Sequence, residues 1–177
     1  MSAPLIAVAE LLDRGGPLLP ALFVTAVALF VLIFERYVEL WWAWPRARKR
    51  MIAEWSARVE RTSRIAQSIR EGFISEARVR LELTQPVLAA LVAICPLLGL
   101  LGTVTGMMSV FDVMAVAGTA EPRAMASGIS QATLPTMAGM VIALPGLFFM
   151  TRLRSRSRRA LHALADALDF DLSLIHI

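Results

Sequence analysis

The 177 residues are 57% hydrophobic and have a mean hydropathy of +0.64; a soluble domain of this length is less apolar, which argues for lipid around much of the chain. The net charge of +4 comes from arginines that flank apolar runs with no base-reading motif beside them, which argues against nucleic acid as a partner. A single cysteine, Cys95, inside an apolar run, and two histidines, His162 and His176, leave no intramolecular disulfide and no zinc spacing. No metal, cofactor or enzymatic centre is expected, since no nucleophile, base and orienting acid come together.

In chain order, residues 1–16 form an N-terminal segment that carries Glu10, Asp13 and Arg14. Residues 17–34 follow with no charge, long enough at about 1.5 Å per residue to cross most of a hydrocarbon layer about 30 Å thick. Acidic residues before this run, and no small-residue cleavage site before Glu35, argue for a retained helix rather than a signal peptide. Tyr37, Trp41, Trp42 and Trp44 stand where that span would leave the bilayer, as an interfacial aromatic belt does. Pro45 is expected to bend the chain there.

The 35–85 segment is charged throughout, and its 46–84 part reads as one helix, with Met51, Trp55, Val59, Ile65 and Ile69 as its apolar positions. A second uncharged run covers 86–111, a connection covers 112–128, and a third run covers 129–151. The tail, 152–177, opens with Arg152, Arg154, Arg156, Arg158 and Arg159. Its last six residues, from Leu172, match what a widely used transposon sequencing adapter encodes in frame. The natural chain is therefore expected to continue differently after about Asp171.

Of 18 Lys and Arg residues, 16 fall in 35–85 or the tail. The positive-inside rule places both regions in the cytoplasm, and the N-terminus and the 112–128 connection in the periplasm. The fold class is thus an all-α membrane protein: three transmembrane helices with long cytoplasmic helical extensions. Membrane lipids surround it.

The second and third spans differ from the first in composition. Gly99, Gly102, Thr103 and Gly106 share one face of the second; Ala132, Thr136, Gly139, Ala143 and Gly146 form a stripe on the third. Small residues let helices approach closely in lipid, where no hydrophobic force drives them together. Pro96, Pro135 and Pro145 each deprive a carbonyl of its donor and mark kinks. Ser130, Gln131, Thr133 and Thr136 make a polar strip. Ordinary helix packing and the lining of something narrow both account for these features. No Asp, Glu, Lys, Arg or His lies inside any span, so a proton crossing here needs a titrating carboxylate from a partner.

The run Pro96-Leu97-Leu98-Gly99-Leu100-Leu101-Gly102-Thr103-Val104-Thr105-Gly106-Met107 resembles the second-span motif of the MotA/TolQ/ExbB proton-channel family. Gly128-Ile129-Ser130-Gln131-Ala132, with Thr136 and Ala143-Leu144-Pro145-Gly146, resembles its third-span motif. The wording is most similar to the compact ExbB-like members of TonB systems. The resemblance implies a homo-oligomeric ring, pentameric in this family, around the single spans of an ExbD-like subunit that supplies the titrating Asp. It implies a proton-driven stator in the bacterial inner membrane whose work passes through a TonB-like protein to outer-membrane transport. Thr103 and Thr136 match the family's pore-facing threonines, and with Gln131 and Thr133 are the expected lining of the proton path or inner subunit. Gln131 stands where the family often has Glu, which leaves that position to hydrogen bonding. A TolQ-like role in envelope maintenance, and a non-conducting scaffold recruiting cytosolic partners, are the alternatives. A MotA-like flagellar role fits least, because MotA has four spans.

Overall fold

A computed structural model describes residues 16, 18–61, 63–117 and 122–169. Residues 1–15 of the N-terminal segment and the residues after Asp169 lie outside them, and so does the expectation about the chain's ending. Among the described residues every regular element is helical: α1 (Leu18–Val38), a π-helical turn (Glu39–Ala43), α2 (Trp44–Ser56), α3 (Arg64–Glu82), α4 (Gln85–Ala117) and α5 (Pro122–Asp169). Three of these stretches are long and apolar enough to cross a membrane. The helices outrun the apolar windows. Part of the connection expected over 112–128 is helical, Asp112 to Ala117 closing α4 and Pro122 to Gly128 opening α5.

The chain divides into two compact units, one of residues 1–31 and 89–148, the other of 32–88 and 149–177. In the first unit the 18–31 part of α1 is apolar all round except for Thr25, yet only one stripe is buried. Leu19, Leu22, Ala26 and Leu29 recur at three and four residues, as one helix face does. Gly146 of α5 lies against Leu29 and Val92: a Cβ built there would meet their methyl groups at 2.8 and 3.2 Å. The buried stripe of α4 is Val92, Cys95, Gly99, Gly102, with Val110 further on, and that of α5 is Ala132, Pro135, Gly139, Gly146. These alternating three- and four-residue steps are a coiled-coil seam.

The second unit is built on Trp44, Met51 and Trp55 of α2, Ala66, Ala77 and Leu81 of α3, and Leu164 and Leu168 of α5. Here the single helix expected over 46–84 is corrected to two. The break runs from Ala57 to Ser63, whose hydroxyl accepts from the Ala66 N–H at 3.2 Å and caps α3. Val59 and Ile65, read as part of an apolar stripe, are 104% and 72% exposed at this break. A second interruption, Leu83–Thr84, precedes Pro86, which cannot donate to the Glu82 carbonyl. Beside it, the Gln85 side chain donates to the Leu81 carbonyl at 3.2 Å.

Pro45 sits in the first turn of α2, where its missing N–H costs least. The turn just before it is π-helical, with the Trp44 N–H bonded to the Glu39 carbonyl, so the strain at the proline is taken up without a break in the helix.

Candidate functional site: the seam between two spans

In lipid, two helices approach closely only where side chains are small. α4 and α5 meet through such residues. A Cβ on Gly102 would stand 2.5 Å from Pro135 Cβ and 2.8 Å from its Cγ; one on Gly99 would stand 2.9 Å from both the Pro135 carbonyl oxygen and Thr136 Cα. Gly106 faces Ala132 in the same way, with 2.7 Å to its Cβ, and Gly139 faces the Cys95 carbonyl, with 2.6 Å to its oxygen. The Pro135 ring, fully buried, therefore fills the hollow left by Gly102, while the Pro135–Thr136 backbone fills the one left by Gly99. Sequence reasoning assigns Pro135 a kink and misses this knob, because proline's backbone effect masks its use as a compact apolar ring. α5 continues as one helix past Pro135 and Pro145, and α4 past Pro96, each without the hydrogen bond that the proline cannot donate.

A hydrogen bond crosses the seam: Thr136 Oγ1 donates to the Gly99 carbonyl at 3.0 Å. Thr103 Oγ1 instead donates within its own helix, to the Leu100 carbonyl at 2.7 Å. Thr105 does likewise, to Leu101 at 3.0 Å and Gly102 at 3.2 Å. A hydroxyl has one proton and two lone pairs. With that proton committed to backbone, Thr103 and Thr105 present lone pairs to whatever approaches them. Thr103 and Thr136 are half-buried and Thr133 is exposed. Gln131 lies in α5, but its side chain is outside the described residues, as is that of Ser130. Ala143 is half-buried on the same helix.

The structure thus brings together Gly99, Gly102, Gly106, Ala132, Pro135, Thr136 and Gly139. It does not join Thr103 to Thr136 by a hydrogen bond; each threonine holds a different carbonyl. Cys95, passed over in the sequence, is fully buried and lies against Gly139.

A second polar constellation lies in the other unit. Glu39 accepts from Arg36, one turn away, and from Arg80 Nε at 3.2 Å, while Arg36 also donates to the Arg80 carbonyl at 3.2 Å. Thr84, Gln85 and the buried Ser157 line the same cleft, which has room for about one water. The Arg156 guanidinium lies 5.5 Å above the Tyr37 ring, and Phe149 meets that ring edge-on at 6.3 Å. Sequence reading assigns none of these pairings: Arg36–Glu39 is a local i, i+3 pair it passes over, and the other partners, more than 40 positions apart, leave no local signal.

A model of the MotA/TolQ/ExbB proton channel family matches residues 46–166, which include the whole α4–α5 seam. The chain belongs to this family and is a multi-pass membrane protein. Among its relatives, an ExbB-like biopolymer transport protein of Synechocystis sp. is 38% identical over 93 residues, 51% of this chain and 36% of that protein. The Tol-Pal system protein TolQ of Pseudomonas aeruginosa is 34% identical over 84 residues, 48% of this chain and 36% of its own length. The biopolymer transport protein exbB1 of Vibrio cholerae is 46% identical over 55 residues, 30% and 24% of the two chains. The matched stretch spans about a third or less of these relatives' length.

Proposed function

We propose that this chain is an ExbB-like stator subunit of an inner-membrane motor driven by proton-motive force. Several copies, five by family resemblance, form a ring around the single spans of an ExbD-like subunit, and a TonB-like protein carries the work to outer-membrane transport. The observation that carries this reading is the seam. Two spans locked at glycine distance make a stiff wall, Thr103 and Thr105 have their protons on backbone carbonyls and keep lone pairs to accept with, and the spans hold no Asp, Glu, Lys, Arg or His. Such a wall accepts hydrogen bonds from a protonated carboxyl but cannot titrate, so the proton carrier belongs to the partner. One charge crossing 100 mV releases about 2.3 kcal/mol, enough for a few protons to move a loosely held inner pair. The distribution of arginines favours a periplasmic N-terminus and a cytoplasmic C-terminus.

The test replaces Thr103 by Val, which keeps shape and removes the lone pairs. Energised uptake in a strain carrying Thr103→Val falls about fivefold, the scale of one lost neutral hydrogen bond of about 1 kcal/mol, with the assembly intact. Uptake equal to the parent's contradicts the stator reading. Resemblance to TolQ supports a second reading, envelope maintenance; a deletion strain sensitive to detergent yet growing normally on chelated iron favours it. A scaffold without ion flow loses function when Arg152, Arg154, Arg158 and Arg159 are neutralised and keeps it in Thr103→Val.

A further inference from the structure

The surface of α4 divides into three strips. Cys95, Gly99, Gly102 and Gly106 are packed in the seam. Leu97, Leu101, Val104, Met108 and Phe111 are exposed and apolar, as lipid or a neighbouring helix requires. Between these strips run Thr105, Ser109 and Asp112, at i, i+4 and i+7 on one face, all exposed. The spanning parts of the other helices in this unit differ. Every exposed residue of α1 between 18 and 31 is apolar, and its Thr25 is half-buried with its hydroxyl bonded to the Ala21 carbonyl at 2.8 Å. The exposed residues of α5 between 132 and 148 are apolar except Thr133.

A carboxylate and a hydroxyl column laid against hydrocarbon are costly, and such groups in spans face protein or water. Thr105 has already given its proton to backbone, the Ser109 hydroxyl both donates and accepts, and Asp112 ends the file in a carboxylate, so acceptor oxygens predominate. At about 1.5 Å per residue it reaches roughly 10 Å inward from Asp112. Thr103 is two residues away, and about 200° round the helix, so the file is distinct from the threonine expected to line the path.

We infer that Thr105, Ser109 and Asp112 form a water-lined vestibule that gathers small cations at the outer end of α4. The inference rests on the proposed function for its orientation and for the proton as the cation concerned; the water and the cation preference are properties of the file itself. Asp112 acts by its charge, raising the local concentration of cations without transferring a proton.

The test uses the full chain in membranes with whatever partner it holds, and membrane-impermeant methanethiosulfonate reagents, one cationic and one anionic, added from the side of Asp112. Thr105→Cys and Ser109→Cys react, while Met108→Cys, between them in depth, does not. The cationic reagent outpaces the anionic one at Ser109→Cys by about threefold or more at low ionic strength, and adding Asp112→Asn removes that preference. Silence at both polar positions, or equal labelling at Met108→Cys, overturns the vestibule. Labelling without preference for the cation overturns the role of Asp112. Cation-selective labelling in a protein that drives no energised uptake leaves the vestibule standing and defeats the stator reading instead.

Discussion

Gly102 and Gly72 are both glycines inside helices, and the space around them sets opposite expectations. A methyl at Gly102 meets the Pro135 ring at 2.5 Å, and that ring has no rotamer to yield. Gly102→Ala should destabilise the α4–α5 pair by about 1–3 kcal/mol, the usual cost of overpacking. Nothing lies within 4 Å of a Cβ at Gly72 in α3, so Gly72→Ala should stabilise by about 0.5–1 kcal/mol through helix propensity. Denaturant titration of the detergent-solubilised protein measures both, and equal effects of the same sign refute the packing described. Thr136→Val, which removes one cross-helix hydrogen bond while keeping shape, should cost only about 0.6 kcal/mol, since such bonds are worth little more in membranes. The glycine stripe itself could be read from the sequence, because three- and four-residue spacing projects onto one face. The Pro135 knob and the carbonyl partner of Thr136 could not, because they depend on the register between helices 37 residues apart.

At the scale of elements, all three apolar spans are legible because a bilayer imposes length and composition together. The interruption between α2 and α3 is not, since it turns on Ser63, one polar residue among many, and on arginines that close the turn locally. Arg61 donates to the Ser56 and Arg58 carbonyls at 2.7 and 3.2 Å. Ser63→Ala should cost about 1 kcal/mol and raise amide exchange over the first turn of α3, with exchange in α4 unchanged; protection equal to the parent's removes Ser63 as the cap. Glu39 joins the π turn to α3 through two arginines, one of them with a side chain 16% exposed. Glu39→Ala leaves those cations facing each other across a cleft. Proteolysis between Ala57 and Ser63 should then quicken several-fold, as about 1 kcal/mol of local stability is lost.

For the whole molecule, 28%, 28% and 22% of the three apolar windows are buried by the rest of the chain. Phe23, Phe30, Phe34, Phe111 and Phe148 stand exposed, so most of the apolar surface is left for lipid and for other polypeptides. With no Asp, Glu, Lys, Arg or His inside the spans, the proposed motor takes its proton carrier from a partner, which is why an assembly with a companion span is the centre of this account. The measurement that bears on it most directly is the native mass of the protein extracted from membranes in which a single-span, Asp-bearing subunit is co-expressed. The account predicts one species holding several copies of this chain together with that subunit. A lone chain that never retains the companion contradicts it.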